Sequence, residues 1–191
     1  MYDPEHDDAA EYAVKVLDLD TQELPIYYER LLRDIDSLAN RTLPCEIVRA
    51  DHPVLVMPKL TSTDAGCIAL DHVRPLTPLI RTFRQLGVEY IHALHIPHLD
   101  LCWGNVVTAT PRMAASHSGV IAWIWYIIDF DTSRQFTLPL GCQPPITLPL
   151  AETHIEPPGG LTIFDPYSWD VYCLGRLLER TMQASDAPLH K

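Results

Sequence analysis

Apolar residues recur along this chain with two different periods, and the changes of period mark its elements. Tyr12-Ala13-Val14-Lys15-Val16-Leu17 is an apolar run interrupted by one lysine, which predicts a strand carrying Lys15 on one face. Pro25 stands where a first helical turn tolerates proline, and Leu31, Ile35 and Leu38 then recur at helical spacing as far as Asn40. Cys45–Val48 and Val54–Met57 flank Asp51-His52-Pro53, a turn sequence, and predict an antiparallel pair. Past Pro58, Thr61-Ser62-Thr63-Asp64-Ala65-Gly66 reads as a linker. Leu76, Leu79, Ile80, Phe83, Leu86, Tyr90, Ile91 and Leu94 then form one stripe of a long core helix through Gly87. Strands are expected at Asn105–Thr108 and Ile121–Ile128, around a polar insert from Ala109 to Gly119. Ser133 to Gly160 is proline-rich and aperiodic, an extended surface segment. Trp169, Val171, Leu174, Leu177 and Leu178 mark a last helix ending near Gln183. The acidic start, 1–11, and the tail, 184–191, carry no such pattern, and no internal repeat is visible.

Composition narrows what such a chain does. An apolar fraction of 47% over 191 residues is enough for one real core. The formal charge of −11 argues against nucleic acid, because phosphate binding needs clustered Lys and Arg, and equally against an anionic membrane surface. Five cysteines, odd in number and never in a C-x-x-C pair, speak against a disulfide scaffold and for a reducing compartment. The start lacks the apolar core of a signal peptide, and the apolar stretch Val120–Ile128 is too short to span a bilayer as a helix. A cytoplasmic or nuclear location is the expectation.

The candidate chemistry lies between the long helix and the second strand pair. His98-Leu99-Asp100-Leu101-Cys102-Trp103-Gly104-Asn105 holds a histidine, an aspartate two places later and an asparagine five further on. Tyr126-Ile127-Ile128-Asp129-Phe130-Asp131 ends an apolar run on a second aspartate. These two segments resemble the catalytic loop (H-R-D-x-x-x-x-N) and metal-binding turn (D-F-G) of the protein kinases. Ala13-Val14-Lys15-Val16 is similar to that family's V-A-I-K strand. Val54-Leu55-Val56-Met57-Pro58-Lys59-Leu60 is similar to its strand-to-hinge segment. Pro157-Pro158-Gly159 resembles A-P-E, and Asp170-Val171-Tyr172-Cys173-Leu174-Gly175 resembles D-x-W-S-x-G.

The resemblance covers about Tyr12 to Thr181 and implies an α+β, protein-kinase-like two-lobe fold. The domain would span 12–183, with a truncated, strand-rich N-lobe at about 12–58 and an incomplete helical C-lobe at about 64–183. It implies ATP and Mg²⁺ as cofactors, a nucleotide site, and a protein substrate or partner. Lys15 would hold the α- and β-phosphates, paired with Asp34 nineteen positions on or, alternatively, with Glu29. The backbone near Met57 would meet the adenine edge. Asp100 would accept the substrate hydroxyl's proton, Asn105 would hold Mg²⁺, and Asp129 would bridge Mg²⁺ to the phosphates. Phe130 would pack beneath the helix, His98 would pack and hydrogen-bond, and Asp170 would accept backbone N–H bonds from the catalytic loop.

Departures from the family pattern predict weak or absent turnover, with nucleotide binding retained. No glycine occurs before Gly66, so the Gly-rich phosphate loop has no counterpart. Cys102 stands where active kinases carry a basic residue, Leu99 replaces the loop arginine, and Asp131 replaces the glycine of D-F-G. Helices expected after Gln183 have no counterpart either. A pseudokinase acting as nucleotide binder or scaffold is the alternative. A remoter one is a metal-dependent hydrolase using His92, His95, His98 and Asp100, although Pro97 breaks the run and no H-E-x-x-H is present. Read residue by residue, Lys15 could be a surface lysine of a strand, Asp129 a turn residue, and Asp170 the cap of the last helix.

Overall fold

The computed structural model describes residues 10–62, 86–147 and 153–185. It is mixed α and β with small antiparallel sheets, compatible with the α+β class. Strand β1 (Tyr12–Val16) pairs antiparallel with β3 (Val54–Pro58), and β2 (Glu46–Val48) pairs with the other edge of β3, giving the order β1-β3-β2. Lys15 lies opposite Leu55 and Ala13 opposite Met57. Side chains alternate between faces of a strand, so Lys15, Ala13, Leu55 and Met57 share one face. Leu55 and Met57 on that face are buried, whereas Tyr12, Val14 and Val16 on the other are exposed.

Helix α1 (Glu23–Ile26) runs on through a π turn at Tyr27–Leu31 and a 3₁₀ turn at Leu32–Asp34. Pro25 does fall in its first turn, but the helix stops at Asp34 instead of reaching Asn40. The cause is a side chain: buried Asn40 donates its Nδ2 to the carbonyls of Leu31 (2.8 Å) and Asp34 (3.0 Å), satisfying acceptors a helix end leaves free. The π turn also shifts the helical period, so the buried positions are Glu23, Ile26, Tyr27 and Leu31, while Leu38 is 72% exposed.

A second sheet joins β4 (Thr61–Ser62), β5 (Val106–Thr108) and β6 (Trp125–Ile127) in that order. The first two residues of the predicted linker are therefore β4; its remainder lies outside the described residues, as do Leu76, Leu79, Ile80 and Phe83 of the predicted long helix. The described part of that helix is α2 (Val88–Ala93), and it begins only after Gly87. Gly87 has φ +71°, and a Cβ there would sit 2.8 Å from the Cβ of Arg41, so the helical run does not pass through it. The polar insert folds helix α3 (Pro111–Ser116), because Thr110 caps Met113 N–H and Pro111 suits the first helical position.

The proline-rich segment contributes strand β7 (Ile146–Thr147), which pairs with β8 (Ile163–Phe164) just beyond it in a two-stranded ribbon. The last helix, α4, spans Pro166–Ser185. Asp165, not Asp170, is its cap: Asp165 Oδ1 accepts Ser168 N–H at 2.7 Å. One apolar cluster joins all of this, from Leu17, Ile26 and Leu55 through Ile91, Leu101, Val106 and Phe130 to Trp169 and Leu174. Among the described residues no helix is long and apolar enough to cross a membrane.

Candidate functional site

Three segments distant in sequence meet at Lys15. Its Nζ hydrogen-bonds Glu23 Oε1 (2.9 Å), lies 2.8 Å from Glu23 Oε2, and also bonds Asp129 Oδ1. The partner from the helix is thus Glu23, eight residues on, and not Asp34 or Glu29. Asp34 is exposed, and its carboxylate accepts the Tyr90 hydroxyl at 3.0 Å. The reason is the helical period: Glu23 occupies the first turn on the same stripe as Ile26 and Tyr27, facing the core, whereas Asp34 falls on the outer side of the last turn.

Glu23 is fully buried and does more than hold the lysine. Its Oε1 also accepts Phe130 N–H at 3.1 Å, which ties helix α1 to the turn after β6. Burial raises its pKa, an effect that Lys15 offsets only in part. For Lys15, burial opposes the ammonium, but the hydrogen bonds to Asp129 and Glu23 outweigh it, so its pKa is raised. The lysine therefore stays charged across the neutral range.

The loop after α2 is held from two sides. Asp170, 0% exposed, accepts His98 N–H (2.7 Å) and Leu99 N–H (2.8 Å), and lies 2.7 Å from His92 Nε2. One residue earlier on the same helix, Trp169 Nε1 donates to the Leu99 carbonyl at 2.8 Å. Leu99 has φ +71° and Asp129 φ +66°, left-handed conformations that cost roughly 1–3 kcal/mol each for residues with a Cβ and persist only where the surroundings enforce them. Here the enforcement is visible, since Leu99 is gripped at both its N–H and its C=O.

His98 joins this loop to the Asp129 turn. Its Nε2 lies 3.0 Å from the Ile128 carbonyl, which can only accept, so Nε2 carries the proton. Its Nδ1 then accepts Asp100 N–H at 3.3 Å. Thr132 and Ser133 hydroxyls both donate to the His98 carbonyl at 3.0 Å. Phe130, fully buried, packs edge-on against Tyr27 of the helix and against the His98 ring. Packing and hydrogen bonding are thus what both residues do.

Asp100 and Asn105 meet directly. Asn105 Nδ2 donates to the Asp100 carbonyl and to its Oδ2, both at 2.9 Å, which leaves the amide oxygen as the group a cation could use. The Asn105 carbonyl accepts Ile128 N–H at 3.0 Å, placing Asn105 beside the residue that precedes Asp129. The structure thus brings together Asp100 with Asn105 and Lys15 with Asp129, and the Ile128–Asn105 backbone bond links the segments that carry the two pairs. Met57 is buried on the sheet face that also carries Lys15, two β3–β1 pairs along from it. Asp131 and Arg134, after the turn, line an open cavity of about 390 Å³ with Asp20, Thr21 and Gln22.

The sequence reading missed two residues here. Glu23 had a signal, being a carboxylate on an otherwise apolar helical stripe. His154 had none: it stands in the aperiodic segment, yet its N–H donates to Asp100 Oδ1 (2.9 Å) and its Nδ1 lies 2.7 Å from Asp100 Oδ2. The histidines of the remoter metal reading do not gather, since His92 is committed to Asp170 and His98 to Ile128. Compared with known proteins, the chain matches no protein-family model and has no significant match among curated proteins.

Proposed function

We propose that this chain is a protein-kinase-like domain that binds ATP with Mg²⁺ between the β1-β3-β2 sheet and the loops bearing Asp100 and Asp129. The observation that carries the reading is Lys15 Nζ held at once by Glu23 of the helix and Asp129 of the turn. A charged lysine facing a metal-type aspartate, with a buried glutamate fixing it, is the arrangement phosphoryl-transfer sites of this kind require. In this reading the sheet and α1 form a small N-lobe, and the loops and helices from α2 onward form the C-lobe.

The donor set suits the ligands. Asn105 and Asp129 offer hard oxygens, as Mg²⁺ prefers, and phosphates and water complete such a shell. Bound Mg²⁺ supplies charge neutralisation at the phosphates. Lys15 would exchange its bond to Asp129 for a phosphate oxygen while Glu23 keeps the ammonium in place. Asp100, oriented by Asn105, would accept the proton of a protein hydroxyl. With Cys102 in place of a basic residue, nothing on that loop stabilises the transferring group, so slow turnover is expected.

A pseudokinase reading is favoured by one observation: both carboxylate oxygens of Asp100 are engaged, by His154 and Asn105. Thermal-shift titration with ATP and Mg²⁺ tests binding. The parent chain should be stabilised, whereas Lys15→Met and Asp129→Ala should not. Equal shifts in all three, or none in the parent, would overturn the proposal. Peptide phosphorylation in Asp100→Asn against the parent then separates enzyme from binder.

A further inference from the structure

Around Asp100 lies a second constellation, two of whose members, Cys102 and His154, have no part in the nucleotide chemistry proposed above. Asp100, Cys102 and His154 each present a ligand-type atom, and all three atoms lie within 4.8 Å of one another. Asp100 and Cys102 are buried, two residues apart on one loop. His154 arrives from a segment 54 residues further on and is exposed. The edge of a tetrahedron with metal bonds of about 2.0–2.3 Å is roughly 3.5 Å. The His154–Asp100 pair, at 2.7 Å, would part slightly and the wider separations close, adjustments that the exposed His154 can make. The geometry points to a Zn²⁺-type site made by the Asp100 carboxylate, the Cys102 sulfur and the His154 Nδ1.

The ligand set chooses the ion. One thiolate, one imidazole and one carboxylate form a borderline set that suits Zn²⁺ and excludes Mg²⁺, which demands oxygen. Three protein ligands leave a fourth position. It would open on a cavity of about 210 Å³, lined by Cys102, Trp103, Gly104, His154, Ile155 and Leu177, which also gives the ion a way in. Burial and Asp100 push the Cys102 thiol up, but the backbone N–H groups of Asn105 and Gly104 pull the other way, and a bound cation would reverse the balance. Loading the site displaces the thiol proton, and His154, ligating through Nδ1, would carry its proton on Nε2. Asn105, donating to Asp100 Oδ2, would orient the carboxylate from outside the ion's shell. Because Asp100 would belong to both sites, an ion there removes it as a proton acceptor, a consequence that rests on the kinase-like reading. The metal site itself does not.

The test uses the full chain, reduced and stripped of metal, titrated with Co²⁺ in the absence of nucleotide and then competed with Zn²⁺. One equivalent should produce a sulfur-to-cobalt charge-transfer band, lost in Cys102→Ser. His154→Ala, at an exposed position, should weaken binding by roughly 10-fold or more, and Asp129→Ala should leave it unchanged. The proposal fails if the parent shows no such band. It equally fails if the band survives both substitutions, which would place the ion elsewhere. Should Cys102→Ser not fold, His154→Ala decides alone. A nucleotide shift without a cobalt band would retain the cleft and reject this site; the reverse result would do the opposite.

Discussion

Asp170 and Asp100 are both nearly inaccessible aspartates, and they do opposite work. Asp170 is surrounded by partners as buried as itself: two backbone N–H groups of a strained loop and a histidine that is 6% exposed. Asp100 is bound by a histidine whose side chain is 67% exposed and comes from an irregular segment. The first arrangement has no way to open without leaving buried donors unpaired. The second can be exchanged for another ligand at the surface. Equal burial therefore says little about whether a carboxylate can take a new partner; what decides that is whether its present partners can leave.

The sharpest break of this comparison is Asp170→Ala. It strips the His98 and Leu99 amides and His92 of their acceptor together, so a loss of about 3–5 kcal/mol is expected by denaturant unfolding. A loss of only about 1 kcal/mol, the value for a helix cap, would show that the loop does not depend on it. Glu23→Gln should cost less, roughly 1.5–3 kcal/mol for a hydrogen bond to a charged group, and should weaken any ATP-induced shift. Asp34→Ala, touching only the exposed Tyr90 hydroxyl, should cost under about 1 kcal/mol and leave nucleotide binding intact. If the two variants behaved alike, Glu23 would not be the partner of Lys15.

Asp100→Asn sits below Asp170→Ala in expected effect, about 1–2 kcal/mol, because the amide can still bond Asn105 and His154 can turn to water. A loss equal to that of Asp170→Ala would make Asp100 structural. Cysteine chemistry gives the smallest and most local readout. Cys173 lies against Asp170 and Cys102 against Asp100, and burial followed by those carboxylates raises both thiols. Alkylation at mildly alkaline pH should nevertheless reach Cys102 before Cys173, after the exposed Cys142, as peptide mapping would show.

Cys45, pushed from the ordinary 9.0 to about 12 by burial and then by Glu23, adds a pH dependence. Its folded form keeps a proton that the unfolded chain releases. Stability from this group is therefore full below pH 9 and declines as pH rises toward about 12. Cys45→Ala should flatten that limb of a stability-versus-pH curve. An unchanged slope would place its cause in another group.

The chain's own pattern was sufficient for what depends on near neighbours. Period-two alternation set β1 with Lys15 on one face, and paired apolar runs around Asp51-His52-Pro53 predicted the β2–β3 hairpin that forms. The order of His98, Asp100, Asn105, Asp129 and Asp170 was enough to expect that they belong together, and they do lie around linked loops. Other features were invisible because nothing local encodes them. Asn40 ends the helix at Asp34 by reaching back to two carbonyls, and Gly87, left-handed and close against Arg41, sets where α2 begins. The choice of Glu23 over Asp34 followed from which turn of a π-distorted helix faces the core. His154 reached Asp100 from an aperiodic segment, across 54 residues, with no pattern to announce it. Periodicity reports which side of an element is apolar; only packing decides which polar groups, left inside with no water, must find one another.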